Sequence, residues 1–172
     1  EEKKRLVKDK KIKKEKSLPQ ISEDEIPYEL PKGWEWVRLG EVCKLYNGYA
    51  FKSKDYIEKG MPIIRISDVY SEITDLSNCM RVSEDLYDER YVIKKGDFLI
   101  AMSGGTTGKY GIYNSDEIAL QNQRVGNIKS LYSELVYDEY KNYFIIANRS
   151  KILKLAYGGA QPNISNAIID NL

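Results

Sequence analysis

Apolar runs of only four to six residues, rich in Ile, Val, Tyr and Phe, recur along this chain between Gly, Asn, Asp and Ser. Runs so short favour strands over helices, because in a pleated strand β-branched and aromatic side chains pack across neighbours. The pattern predicts strands near Val42 to Tyr46, Pro62 to Ile66, Asp97 to Met102, Gly111 to Tyr113 and Gln123 to Ile128. Two helical stretches stand beside them. One runs from about Asp85 to Tyr91; the clearer one runs from about Glu134 to Leu155, where Leu135, Tyr143, Ile146, Ile152 and Leu155 share faces at helical spacing. Asn148 and Ser150 are candidates to break the longer stretch in two. Gly158, Gly159 and Pro162 then stop the helix and predict a tight loop over Tyr157 to Ile164. The expected fold class is α+β: a mixed, mostly antiparallel twisted sheet with packed helices, preceded by an extended or partly helical charged arm.

At 172 residues and 42% hydrophobic, the chain can bury one substantial core but not two. Residues 33–172 are expected to form that domain, and residues 1–32 an arm and linker. Glu1 to Lys16 carries nine Lys and Arg against four acids, a local charge of +5 that leaves −4 for the remainder. Pro19, Pro27 and Pro31 punctuate the linker that follows. The mild acidity of the folded part argues against a binder led by non-specific attraction to DNA, but not against a few clustered cations on one face. No run of about 18 to 20 apolar residues is present, and the N-terminus is charged where a secretory signal would be apolar, so a soluble cytoplasmic protein without membrane contact is expected.

Histidine is absent. That removes the commonest general base, the commonest zinc ligand and every Ser-His or Cys-His nucleophile. Cys43 and Cys79 lack metal-ligand spacing and read as two reduced, partly buried thiols. The chain also lacks an Asn-Pro-Pro-Tyr site for adenine methyl transfer and a Gly-rich motif to hold a methyl donor. The single acid-x-Lys triplet in the folded part, Glu139-Tyr-Lys141, falls on a predicted helix without a preceding Pro-Asp, unlike a metal nuclease. No catalytic residue and no metal site is expected.

Three segments carry binding chemistry. Ser103-Gly-Gly-Thr-Thr-Gly-Lys109 fails as a phosphate-binding P-loop, because Ser103 stands where a glycine is needed and Tyr110 where a Ser or Thr should follow the lysine. It remains either a simple strand connection or a DNA-facing loop, in which Ser103, Gly105, Thr106, Thr107 and Lys109 offer amides, hydroxyls and a counter-charge to phosphates. The run from Asn47 to Lys54 mixes Tyr49 and Phe51 with Lys52 and Lys54; it either grips nucleic acid or folds its two aromatics back onto the core. Gln121-Asn-Gln-Arg124 is the densest set of side chains suited to base edges, since Gln pairs bidentately with adenine and Arg with guanine. Gln121, Gln123 and Arg124 are thus reading candidates, although buried amides serve equally as structural hydrogen-bonders. Gln161-Pro-Asn163 reads more readily as a cap for the last element than as a DNA contact.

Taken in order, five blocks resemble the target recognition domain of type I restriction-modification specificity subunits. They are Leu30-Pro-Lys-Gly-Trp-Glu-Trp-Val-Arg-Leu-Gly-Glu-Val42, Gly60-Met-Pro-Ile-Ile-Arg-Ile-Ser-Asp68, Lys95-Gly-Asp-Phe-Leu-Ile-Ala-Met-Ser-Gly104 with its Gly108, Asn122-Gln-Arg-Val-Gly126 and Gly158-Gly-Ala-Gln-Pro-Asn-Ile-Ser165. Each is weak alone; five in register are specific. The resemblance implies a non-catalytic reader of double-stranded DNA, without cofactor or small-molecule substrate. Separate methyltransferase and restriction subunits would supply adenine methylation with S-adenosylmethionine, and translocation and cleavage with ATP and Mg. It also implies two such domains joined by long helices, each reading half of a split target. One domain is visible here, and a fragment or one half of a longer subunit is expected. The competing reading is a protein-docking module that never touches DNA.

Overall fold

Strand alternation is plain from the first strand onward. In the computed structural model, which describes residues 17–132, 136–158 and 161–172, strand β1 (Cys43–Asn47) buries Cys43 and Leu45 and exposes Lys44 and Tyr46. It follows a single helical turn, α1 (Leu39–Val42). The remaining strands are β2 (Tyr56–Ile57), β3 (Met61–Ile64), β4 (Glu72–Ile73), β5 (Met80–Val82), β6 (Val92–Ile93), β7 (Phe98–Ala101), β8 (Tyr110–Tyr113), β9 (Ala119–Gln121) and β10 (Val125–Ser130). Helices α2 (Asp138–Ala147), α3 (Arg149–Ala156) and α4 (Asn166–Asp170) close the chain.

The expected α+β class holds, with the strands divided between two sheets. One runs β1-β10-β7-β8-β4 and the other β2-β5-β3-β9-β6. Pairing is antiparallel except for β4 with β8 and β3 with β9. The predicted strand from Gln123 to Ile128 begins late: Gln121 ends β9, and a turn over residues 122–124 leads into β10.

Strand β7 shows how the layers form. All four of its residues are buried, and its alternation sends Phe98 and Ile100 to one face and Leu99 to the other. Phe98 and Ile100 join Leu45, Ile128, Ile145, Ile152 and Ile169 in a core between the first sheet and the helices. Leu99 joins Ile64, Ile73, Ile93, Tyr113 and Val125 in a core between the two sheets. A third cluster, Phe51, Ile63, Val82, Val92 and Leu120, fills the second sheet's remaining face.

One helix expectation needs correction, and the other is refined. The stretch from Asp85 to Tyr91 forms two 3-10 turns, Glu84–Leu86 and Glu89–Tyr91, not an α-helix. Ser83 and Asp88 explain this, because their side chains accept from the amides of Asp85 and Arg90 and restart the chain at each turn. The longer stretch is broken at Asn148, whose Nδ2 donates to Phe144 O at 2.9 Å, while Ser150 lies inside α3. Glu134, Leu135, Gly159 and Ala160 lie outside the described residues.

Lys141, of the acid-x-Lys triplet, is a structural residue. Its buried ammonium donates to Ile128 O at 2.9 Å and to Asp138 Oδ1 at 2.6 Å, holding the Asp138 carboxyl below the usual carboxylate range. Both cysteines are free. Burial raises the thiol pKa of Cys43 and pushes that of Cys79 up to about 11. Since the thiolate is the nucleophile, iodoacetamide at about pH 8 is expected to label Cys79 roughly 100-fold more slowly in the folded chain than in urea. Equal rates would show that the side chain is accessible.

The chain divides into two compact units, Glu1–Trp36 and Val37–Leu172. Within the first, a 3-10 turn over Glu23–Glu25 is closed by Ser22 N donating to Glu25 Oε2 at 3.1 Å, and Tyr28 packs edge-on against Trp36 at 5.1 Å. Within the second, the beginning and end meet. Leu39 N donates to Leu172 O at 2.9 Å and Arg38 Nη1 to Asn171 O at 3.1 Å, while Asp170 packs against Gly40 so closely that an added Cβ would lie 2.7 Å away. Among the described residues no helix is long and apolar enough to cross a membrane.

Candidate nucleic-acid interface

The three chemistry-bearing segments converge at one end of the first sheet. Tyr49 N donates to Gln121 O at 2.9 Å and Gln123 N to Tyr49 O at 2.9 Å, a parallel bridge that ties the segment after β1 to the turn after β9. The approach is possible because residue 48 is glycine: a Cβ there would lie 2.1 Å from Gln121 O and 2.4 Å from Asn122 O. The other side of that turn is held to the residue that leads from β7 into the 103–109 loop by Met102 N donating to Arg124 O at 2.9 Å.

The loop over residues 103–109 is built around glycines 104 and 108, whose φ values of 83° and 77° lie in the left-handed region. Thr107 Oγ1 donates to Gly104 O at 2.6 Å and braces the loop internally, and the Thr106 hydroxyl is enclosed without a partner. The amides of Gly105 and Thr106 donate to no acceptor among the described residues. From outside, Arg149 Nε of α3 donates to Gly108 O at 2.8 Å, and Ser103 forms a bridge with Asn163.

Burial separates the twelve candidates. Tyr49, Lys52, Lys54, Gly105, Lys109, Gln123 and Arg124 are exposed, and Ser103 and Thr106 are half-buried. Phe51, Thr107 and Gln121 are buried, so their side chains serve the fold. Phe51 sits in the third core cluster, and Tyr49 packs edge-on against it at 5.0 Å and beside Tyr91 at 5.6 Å. Gln121 Nε2 donates to Tyr46 O at 2.7 Å and to Val125 O at 2.6 Å. Because Gln121 belongs to the second sheet and both acceptors to the first, this amide staples the sheets together beneath the exposed Gln123 and Arg124. Asn163 does not cap the last helix: Ser165 stands at that position, while Asn163 ties the 103–109 loop.

Charge is distributed to match. Residues 42–54, 98–115, 118–133 and 140–169 hold ten Lys and Arg and no Asp or Glu. Within those segments Lys52, Lys54, Lys109, Arg124, Lys151 and Lys154 form no ion pair among the described residues. Elsewhere Arg65, Arg81, Arg90 and Lys95 are each matched to a carboxylate. The whole-domain charge concealed this segregation, and Arg149, Lys151 and Lys154 were not among the sequence candidates. A count of acids per segment is the signal that reveals them. The loop end offers polar tips, backbone amides and cations that form no ion pair among the described residues, with the Asp55 carboxylate accepting from Lys52 N at 3.1 Å; such a set suits a phosphate backbone and base edges.

The sequence profile of the type I restriction modification DNA specificity domain matches residues 31–172, and the chain belongs to that family. It is 35% identical over 157 residues to the specificity subunit of the type I restriction enzyme EcoAI of Escherichia coli, covering 85% of this chain and 26% of that protein. It is 28% identical over 152 residues to the MjaVIII specificity subunit of Methanocaldococcus jannaschii, covering 84% of this chain and 36% of that one. Its fold is similar to the HsdS subunit from Thermoanaerobacter tengcongensis, with a TM-score of 0.64 at 20% identity, over 85% of this chain and 34% of that chain. The chain therefore spans about a quarter to a third of the length of the curated relatives it matches.

Proposed function

We propose that this chain is a sequence-specific DNA reader that recognises one half of a bipartite target for a type I restriction-modification complex. The observation that carries the reading is the fusion of three loops at one end of the first sheet, with Gln123 and Arg124 exposed on a turn held from both sides. Phosphate contacts from Lys52, Lys54, Lys109 and the amides of Gly105 and Thr106 set the register, and the polar tips of Gln123 and Arg124 read base edges in the major groove. Bond making and breaking belong to separate methyltransferase and restriction subunits, which bring S-adenosylmethionine, ATP and Mg, and the assembly works on DNA in the cytoplasm. Residues 33–172 act as the recognition domain, with residues 1–32 as arm and linker.

The test is selection of bound duplexes from a random pool, using the full-length subunit with its methylating partner, followed by variants on the recovered sequence. Arg124→Ala is expected to cost about 1–3 kcal/mol on that sequence and to relax one base position, whereas Lys109→Ala weakens all sequences alike. Equal losses on selected and random duplexes for Arg124→Ala would remove its reading role.

A second reading, protein docking without DNA, is favoured by one observation. Tyr137, Tyr140 and Tyr143, at the start of α2 and just before it, are 79%, 56% and 73% exposed. A pool that yields no preferred sequence would favour it.

A further inference from the structure

The tip of the 103–109 loop has little beneath it. A Cβ added at Gly105 would meet nothing within 4 Å, and one at Gly104 would reach only Ile66 Cδ1 at 3.4 Å. The bonds from Thr107 N and Oγ1 to Gly104 O shape the tip from within but tie it to no other segment. Where the Gly105 and Thr106 amides stand is therefore set by how the two ends of the loop are fastened.

The entry is held by backbone alone: Ile164 N donates to Met102 O at 2.8 Å, and Asn163 bridges Ser103. The exit is held by α3. Arg149 Nε donates to Gly108 O at 2.8 Å, and Leu153 packs so tightly on Gly108 that an added Cβ would lie 2.4 Å from its Cδ2. The helix is itself anchored, because Ile152 and Ala156 belong to the core between the first sheet and the helices. A half-buried side chain on a fixed helix thus reaches across to a loop carbonyl and acts as a strut.

We infer that Arg149 is a positioning residue of the interface: its Nε–H, by donating to Gly108 O, holds the exit of the loop so that the free Gly105 and Thr106 amides stand ready for phosphate, and Arg149 itself touches no DNA. The inference rests on the DNA-reading function proposed above. A loop already held in its binding position loses less freedom when a phosphate arrives, so the strut adds affinity. It adds no base preference, because the contacts it prepares go to the backbone. What acts is the donor and not the positive charge.

Glutamine and methionine separate the donor from the charge. The amide nitrogen of glutamine stands as many bonds from Cα as Arg Nε, so Arg149→Gln keeps a donor for Gly108 O, whereas Arg149→Met keeps a stem of similar length without one; neither is charged. Both are made in the full-length subunit. Amide hydrogen exchange reads the loop: the amides of Thr107, Gly108 and Lys109, bonded to Gly104 O, Ala101 O and Thr106 O, are expected to exchange about tenfold faster in the methionine variant than in the glutamine variant, while those of β10 stay unchanged and show the fold intact. Titration reads the interface. The methionine variant is expected to bind the selected duplex and a random duplex of equal length about tenfold more weakly than the glutamine variant, on the order of re-fixing one backbone residue, with the ratio between duplexes kept. The glutamine variant is expected to stay within about threefold of wild type at physiological salt, where the lost charge is screened. Equal exchange or equal affinities for the two variants overturn the positioning role: affinities equal at the wild-type level make the strut structural only, and affinities equal but well below it make the Arg149 charge a phosphate ligand. Either leaves the DNA reading standing while the wild-type protein prefers the selected duplex. A wild-type protein that binds neither duplex overturns the DNA reading and this inference with it.

Discussion

Replacing Gly48 with alanine is expected to lower the stability of the Val37–Leu172 unit by about 3 kcal/mol. The added methyl would meet Gln121 O at 2.1 Å and Asn122 O at 2.4 Å, and both are backbone atoms of the strand end and turn that Tyr49 bridges. No side-chain rotamer can relieve that overlap; the segment after β1 must move away, and the bridge opens. Gly105→Ala is the control. It lies in the neighbouring loop with nothing within 4 Å of an added Cβ and an ordinary φ, so its cost is expected within about 0.5 kcal/mol. Urea unfolding of the two variants separates them by midpoint at constant slope. A Gly48→Ala midpoint equal to wild type would mean that the two segments are not in contact.

The second large effect concerns an amide whose sequence neighbours suggest a different duty. Gln121→Leu keeps the volume but removes the donor from Tyr46 O and Val125 O in a site that excludes water, and is expected to cost about 2–4 kcal/mol. Gln123→Leu, two residues on and exposed, is expected to change stability by less than about 0.5 kcal/mol. Binding assays are expected to show the reverse order once the fold of each variant is checked: Gln123 acts on base preference and Gln121 on stability. A stable Gln121→Leu protein with altered base preference would reverse these assignments.

These cases mark how far the sequence could be read. Strands β1, β3, β7, β8 and β10 were legible because each carries enough Ile, Val, Leu, Phe or Tyr to declare a buried face. In the second sheet β2 and β6 have two residues each and β5 and β9 three, too few to show any period, so of that sheet only β3 was legible and one sheet was expected where two form. The 3-10 turns at Glu84–Leu86 and Glu89–Tyr91 were hidden for a related reason: Ser83 and Asp88 override the apolar spacing through bonds to the backbone two residues ahead.

At the candidate site, residue type located the segments but not the direction of each side chain. Gln121 and Gln123 are chemically identical and differ only in that the first still belongs to a strand. The same uncertainty attached to Tyr49 and Phe51, of which one stays exposed and the other enters a core. The cations of α3 went unnoticed as candidates because they were averaged into a domain whose net charge is negative.

The meeting of Arg38 and Leu39 with Asn171 and Leu172 has a mechanical consequence. Tension applied between residues 38 and 172 is borne first by those hydrogen bonds and by the contact of Asp170 with Gly40, like a pull on the clasp of a closed ring. The strands between them carry little of the load until the clasp gives way. Until it does, tugging or swivelling at residues 38 and 172 leaves the mutual spacing of the polar tips at the loop end unchanged.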